Sequence, residues 1–406
     1  VTDENSDDSV RDVTAARGEL NPGDIFALPD YKLPARTKKR RFKPWHKPRK
    51  QYIRDLQWNR EIAWLLRNRS PDKPLRYLGL PGTDLLDLRH FYNTFCRKSE
   101  RYPDGRELRF LGFDTAAHSR SAEGDALNVS LDEMVGSGRL VDPLSDVRGD
   151  RFQTLATYDS VAWRQARQLG PYDIINVDLC GSVGEEEVTI DSSIYSALHN
   201  LAHMQLRNDE PWAIFLTTRV KADLFSESAL AKLIEFVDRN LSDCAEFRVA
   251  ADDYLDGMRH LADPIDQWGC QQFFDTATLG ILKWLLEMVG RSSRCVVSVS
   301  SAAAYKVEGS APCVDMLSVV LRFVPIAHPQ PDSSGMSGIG RIGVSECEQA
   351  AHFPQAVAAT VDVDKLLAED AQVQQVCIER ASLLMQEARY DGDDYEEWIK
   401  HGYPSL

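Results

Sequence analysis

Short apolar runs that close on glycine or a carboxylate, spaced by helical segments, constrain this chain more than any other feature. Residues 75–80 form one such run. It stops at Pro81-Gly82-Thr83-Asp84 and gives way to a helical stretch, 85–91. Residues 108–114 form a second run, and a helix over 127–136 leads to a third, 147–152. The strongest is 172–182, which breaks into the loop Cys180-Gly181-Ser182. An amphipathic helix over 192–206 then precedes the run 212–219. Runs of this length bounded by turn residues read as strands. Strands alternating with helices predict a parallel sheet covered on both faces. Thr83 or Asp84 is placed to cap the helix after the first strand.

Beyond Val220 the spacing predicts helices over 227–240 and 276–289, with an acidic stretch, 250–266, between them. Two further strands follow at 295–302 and 316–325. Their short connection, containing Gly309, suits an antiparallel pair and is too short for a crossover helix. Residues 329–340 read as a Pro/Ser/Gly linker. After it comes a helical part through Met385, with Asp362 or Asp364 as its cap, and an acidic, aromatic tail over 391–398. The expected organisation is an acidic flexible tail (1–30), a basic arm and first helix (31–68), an α/β body (69–328) with a helical insertion (222–294), and a linker with a helical carboxy-terminal segment (329–406).

The 406 residues are 43% hydrophobic and 27% charged, which excludes collagen-like and wholly disordered classes. No run of about 18 apolar residues is present, so a membrane span is not expected. The acidic first residues, Val1-Thr2-Asp3-Glu4-Asn5, do not read as a secretory signal. Eight cysteines lie far apart with no CxxC pair, the usage of a reducing compartment, and their spacing is read as ruling out a zinc ribbon or a disulfide scaffold. The expectation is a soluble, cytoplasmic protein.

Charge is unevenly placed. Between Arg36 and Arg54 stand ten cations (Arg36, Lys38, Lys39, Arg40, Arg41, Lys43, Lys47, Arg49, Lys50 and Arg54) with no carboxylate among them, in a chain of formal charge −15. Phe42, Trp45, His46 and Tyr52 are interleaved, and Pro44 and Pro48 hold off a long helix before about Arg49. From Lys50 a helix with an apolar face of Trp58, Ile62, Trp64 and Leu65 is expected. Two readings stand for the arm. Lys38, Lys39, Arg40, Arg41, Lys43, Lys47, Arg49 and Lys50 neutralise phosphates of a nucleic acid while Trp45 stacks on bases; or the segment folds back over the acidic body or onto a partner protein.

Five helix-separated strands followed by an antiparallel pair is the order seen in class I S-adenosylmethionine-dependent methyltransferases, which the chain resembles over roughly residues 69–328. More faintly, Val177-Asp178-Leu179-Cys180-Gly181 is similar to the Asp-x-x-Gly loop of the bacterial three-Cys-motif partner group, which carries a methyltransferase-like fold. The resemblance implies a Rossmann-like, mostly parallel seven-stranded sheet with a terminal antiparallel pair. It also implies S-adenosylmethionine as cofactor, held along Gly79, Pro81, Gly82, Thr83 and Gly181. In the family the acid ending the second strand, here Asp114, accepts from the ribose hydroxyls, and Asp150 would accept from the adenine amino group. The family's first loop usually reads Gly-x-Gly-x-Gly after an acidic residue; here it is Gly79-Leu80-Pro81-Gly82-Thr83-Asp84.

Each position also has a plainer reading. Gly79 and Gly82 make a tight turn, Asp114 caps a helix, and Asp150 pairs with Arg151 on the surface. Asp178 closes an apolar strand at the edge where open α/β sheets bind ligands. It is the expected catalytic residue, orienting or deprotonating an acceptor, or else it shapes the loop through hydrogen bonds.

Other constellations are weaker. His199 and His203 stand four apart on a helix, but no HExxH pattern accompanies them, so a packed or surface pair is expected and no metal. Cys180 reads as a nucleophile or, the preferred account, as a buried small hydrophobe. No GxSxG elbow and no Walker loop are present. The expected function is a methyltransferase-like protein acting on or near nucleic acid or a nucleotide-bearing partner. The alternative is a catalytically inactive methyltransferase-like subunit of a multiprotein assembly, in bacterial defence or nucleic-acid processing, docked on a protein partner or on its own copy.

Overall fold

The computed structural model describes residues 39, 41–67, 69–100, 102–136, 139–185, 193–290, 295–309, 311–326, 334 and 344–401. The expected acidic tail, Lys38 and Arg40 of the arm, and the expected linker apart from Ser334 lie outside the described residues.

A helical rod, α1, comes first, built of Pro48–Tyr52, Ile53–Trp58 and Asn59–Leu65, the middle part being π-helical. Pro48 takes the first helical position, where a missing N–H costs nothing and its fixed φ suits the helix. The alternation follows: β1 (Leu75–Gly79), α2 (Leu86–Phe91, continued by a π-turn at Tyr92–Cys96), β2 (Leu108–Phe113), α3 (Ala122–Gly136), β3 (Asp146–Arg148), α4 (Val161–Leu169), β4 (Ile174–Asp178), α5 (Ile194–Gln205) and β5 (Trp212–Arg219). Next come α6 (Glu227–Asp243), α7 (Ala245–Tyr254), α8 (Cys270–Gly290), β6 (Cys295–Tyr305) and β7 (Met316–Pro325). The chain closes with α9 (Glu346–Ala350), α10 (Phe353–Ala358), β8 (Val361–Asp362), α11 (Val363–Glu369), α12 (Ala371–Glu387) and α13 (Gly392–Lys400).

The fold is α/β, with one eight-stranded, mostly parallel sheet in the order β3-β2-β1-β4-β5-β7-β6-β8, compatible with a Rossmann-like arrangement. β7 runs antiparallel to both of its neighbours, β5 and β6. Seven strands were expected. The eighth is β8, two residues paired parallel to β6, too short to carry any alternation in the sequence. Because β7 is antiparallel to both, β6 points the same way as β5 and needs a crossover. α8 is that crossover, and it sends Phe274, Leu282 and Leu285 into the core. The expected helical insertion therefore shrinks to α6, α7 and the short turns before α8.

Alternate residues of the central strands feed two cores. Tyr77, Ile174 and Phe215 meet Trp58, Ile62 and Phe91, whereas Leu78, Ile175, Val177 and Leu216 meet Trp163, Leu198 and Leu282. Trp58 stacks on Phe215 with ring centroids 5.7 Å apart, fixing α1 across one face. Burying a ring the size of Phe215 contributes roughly 3 kcal/mol.

The carboxy-terminal segment departs from expectation. Asp362 caps α11 through the Lys365 amide, but Asp370 starts a separate helix, α12. The expected acidic tail is α13, capped by Asp391 and anchored by the wholly buried Tyr395. The cysteines depart too. Cys244 is joined to Cys347 and Cys270 to Cys313, with Cα atoms 5.6 and 6.4 Å apart. Their linear separations of 103 and 43 residues concealed this, because α7 packs its first turn against α9.

Candidate functional site

The register of the parallel strands brings the expected site residues to one edge. Gly79 of β1 lies opposite Gly112 of β2 and Asn176 of β4, and Gly112 lies opposite Val147 of β3. Two residues further on stand Pro81, Asp114, Asp178 and Gly149, with Asp150 next along. All lie at the carboxyl end of the parallel strands. β1 and β4 are neighbours in the sheet but not in sequence, and the crevice beyond such a junction is where open α/β sheets take their ligands.

The first loop is shaped by close approach. A Cβ on Gly79 would collide with the Asn176 carbonyl, and one on Gly112 would strike the Pro81 ring. Gly82 has φ +65°, a conformation suited to glycine, and faces open space. Neither Thr83 nor Asp84 caps α2; the cap position is Leu85, itself left-handed at φ 51°. Asp84 has another use. It takes the Lys39 ammonium, receives the Tyr390 hydroxyl at 3.0 Å, and stands 3.5 Å from His46 Nε2. Burial would push its carboxyl up, but His46 and Lys39 outweigh this and hold it well below the usual range. Burial lowers His46 in turn.

The other edge carboxylates differ in their freedom. Asp114 is half-buried, and Oδ1 accepts the Ala116 amide at 2.9 Å. Asp150 is clamped by Arg148, with contacts of 2.6 and 2.5 Å; sequence adjacency had suggested Arg151. Asp178 receives Lys50 Nζ at 2.6 Å. Burial pulls the Lys50 ammonium down, but Asp178, Tyr305 and Asp87 attract it more, and its pKa is raised. Gly181 passes close to Glu185, whose carboxylate accepts the Ser182 amide at 2.9 Å. Cys180 is exposed, where a buried residue was expected, because the loop leaves the sheet at Leu179. Partial burial of the loop and Asp178 raise its thiol pKa. Arm and sheet edge meet at the Lys50–Asp178 pair, two residues before Cys180.

The arm lies over the body. Arg49 bonds Asp364 at 3.1 Å and the Val307 carbonyl at 3.1 Å, and Lys50 and Arg49 are both buried. Lys47 is pulled down to about 8, first by burial and then by Arg49. Arg41 and Trp45 are exposed, and Lys43 Nζ stands 5.0 Å from the Trp45 ring. Of the expected nucleic-acid residues, Lys39, Arg49 and Lys50 are thus engaged by the body, and Arg41, Lys43 and Trp45 form the arm's outer rim.

α1 also carries partners that sequence reasoning passed over. Arg54 bonds Asp87 at 2.8 Å in full burial. Gln57 and Ser318 exchange hydrogen bonds, and Glu61 receives Arg322 Nε and Nη2, each at 2.7 Å. Lys50, Arg54, Gln57 and Glu61 recur at intervals of four, three and four, one face of a helix. That spacing was the available signal. His199 and His203 are exposed on α5 with rings 4.3 Å apart, away from this edge in the element order.

A family model described as PP_RS20740-like matches residues 39–400, and the chain belongs to that family. A comparison with curated proteins finds no match.

Proposed function

We propose that this member of the PP_RS20740-like family is a methyltransferase-like protein that takes S-adenosylmethionine at the carboxyl edge of β1, β2 and β3. Asp178 and Lys50 then face an acceptor carried by a nucleic acid or a nucleotide-bearing partner. The observation that carries this reading is Asp114. It stands on one register line with Pro81 and Asp178, beside an open Gly82, and no ion pair is formed by its carboxylate among the described residues.

The residues present fit the sugar end of such a ligand. Asp114 has acceptor capacity for vicinal hydroxyls, and the loop Gly79–Gly82 lets backbone come close. The base end is less open, since Asp150 is held by Arg148. S-adenosylmethionine supplies an activated methyl group when bound. The protein's task is then to align the acceptor. Asp178 serves as a proton acceptor only when Lys50 withdraws from it; with Lys50 in place the pair orients a hydroxyl or amine by hydrogen bonding. Arg41, Lys43 and Trp45 on the rim favour a phosphate-bearing acceptor. No helix among the described residues is long and apolar enough to cross a membrane.

One observation favours a second reading. The arm neutralises Asp178 and Asp84 with cations from the same chain, as expected of a catalytically silent subunit whose edge is locked for assembly with a partner. Titration calorimetry with S-adenosylmethionine and its demethylated product separates the two. The leading reading expects micromolar binding, weakened at least about tenfold in Asp114→Ala, the cost of one lost charge-assisted contact. Absence of heat with both ligands overturns it in favour of the silent subunit.

A further inference from the structure

The two cystines occupy different surroundings. Cys244 is buried in the main core, and its Sγ accepts the Phe247 amide at the first turn of α7. Its bond to Cys347, which is half-buried, joins α7 to α9 across 103 residues. By contrast, Cys270 is exposed at the start of α8, and its partner Cys313 is half-buried in the β6–β7 connection. Cys313 lines a cleft of about 530 Å³ together with Tyr254, Phe274, Asp275, Lys306 and Thr360. A cleft of that volume admits a small organic molecule. Exposed cystines are the ones that exchange with thiols, whereas buried ones resist.

The connection holding Cys313 also seats the basic arm. Its Lys306 and Val307 carbonyls accept Arg49, and its Asp315 accepts the Val307 amide at 2.7 Å and Arg219 at 2.7 Å. The Cys270–Cys313 bond ties this seat to α8.

We propose that Cys270–Cys313 is a thiol-exchange site for a low-molecular-weight thiol, and that its opening loosens the seat of Arg49, while Cys244–Cys347 is a static staple. The thiolate of the small thiol attacks the exposed Sγ of Cys270. The Cys270–Cys313 bond breaks, Cys313 leaves as a thiolate and takes a proton from water, and Cys270 is left in a mixed disulfide. A second small thiol attacks the small-molecule sulfur of that mixed disulfide. This releases the Cys270 thiolate and a symmetrical disulfide. Two electrons pass from two small thiols to the cystine. The proposal does not depend on the adenosyl ligand.

The test uses the full chain, purified in air-oxidised buffer and equilibrated with graded reduced glutathione, followed by alkylation and peptide mapping. Cys270 and Cys313 should become alkylated at glutathione concentrations about tenfold below those that open Cys244 and Cys347. Cys313→Ser, incubated instead with oxidised glutathione, should capture one glutathione on Cys270, the Cys270 thiolate displacing one reduced glutathione. Hydrogen exchange should quicken at residues 306–309 and 47–50 when only the first pair is open. Joint opening, the reverse order, both pairs free from the outset, or no glutathione on Cys313→Ser would each overturn the proposal.

Discussion

Lys50 Nζ stands 2.6 Å from Asp178 Oδ1, joining the first helix to the end of the fourth strand across 128 residues. The Lys50 side chain is almost wholly removed from water, and Asp178 is mostly so. A pair of this kind is costly to break from one side, because the remaining charge stays buried without its partner.

Lys50→Met and Asp178→Asn should therefore each lower stability by about 3 kcal/mol. The double variant Lys50→Met/Asp178→Leu should recover much of the loss, since an apolar pair carries no stranded charge. Urea unfolding of the four proteins reads this directly. Single variants within about 0.5 kcal/mol of the parent, the range of ordinary surface changes, would show that the pair is not buried in solution.

Acid should weaken the fold before most carboxylates titrate. Burial, helped by Arg54 and Arg380 and opposed by Asp55 and Asp87, lowers His90 from 6.5 to about 4. A histidine depressed in the folded state binds its proton more readily when unfolded, so stability is full above pH 6.5 and falls as pH drops toward 4. The loss attached to His90 is at most about 3 kcal/mol. His46, also lowered by burial, acts in the same direction. Asp84 is depressed, so its contribution persists through this window and fades only below the ordinary carboxylate value. Urea midpoints at pH 7 and pH 5 should differ in the parent, and the difference should shrink in His90→Gln, leaving the part that belongs to His46.

The arm and the last helix should come loose together. Phe42 lies 5.3 Å from Tyr390 and 5.2 Å from Trp398, ring centroid to ring centroid, and the Tyr395 hydroxyl donates to the His46 carbonyl at 2.7 Å. Phe42→Ala should cost about 3 kcal/mol and Tyr395→Phe about 1 kcal/mol. In Phe42→Ala, limited proteolysis should cut near residue 43 and within α13 at similar rates. Cleavage in only one of them would mean that they are not one unit.

Much of this architecture could be read from the chain, and the unread parts share a cause. The runs ending at Gly79, Asp114 and Asp178 are strands because their alternation is local, and their acids reach one edge because parallel register follows from it. The partners of those acids are not local. Lys50 and Lys39 stood in a segment with two readings, phosphate binding or folding back over the acidic body, and only the tertiary fold names Asp178 and Asp84 as their partners. Arg54, Gln57 and Glu61 sat at helical spacing, but a polar stripe beside an apolar one is read as exposed by default. Their burial depends on acceptors that β6, β7 and α2 supply. The cystines and the two-residue β8 are likewise set by packing rather than by pattern.

The Cys244–Cys347 bond closes the longer loop and should contribute more to stability than its neighbour. In the chain-entropy account a loop of about 100 residues corresponds to roughly 4.7 kcal/mol, an upper value for such cross-links. Replacing both cysteines by serine should lower the melting temperature by several degrees more than the same change at Cys270 and Cys313. Equal shifts would contradict the assignment of a staple.

The central claim is that the sheet edge between Gly79 and Asp178 holds an adenosyl group. Ultraviolet cross-linking of methyl-labelled S-adenosylmethionine to the full chain, followed by peptide mapping, tests it most directly. The account predicts label on the peptides carrying residues 79–84 or Asp114, competed away by the demethylated product. Label confined to other peptides, or none that the product displaces, would contradict it.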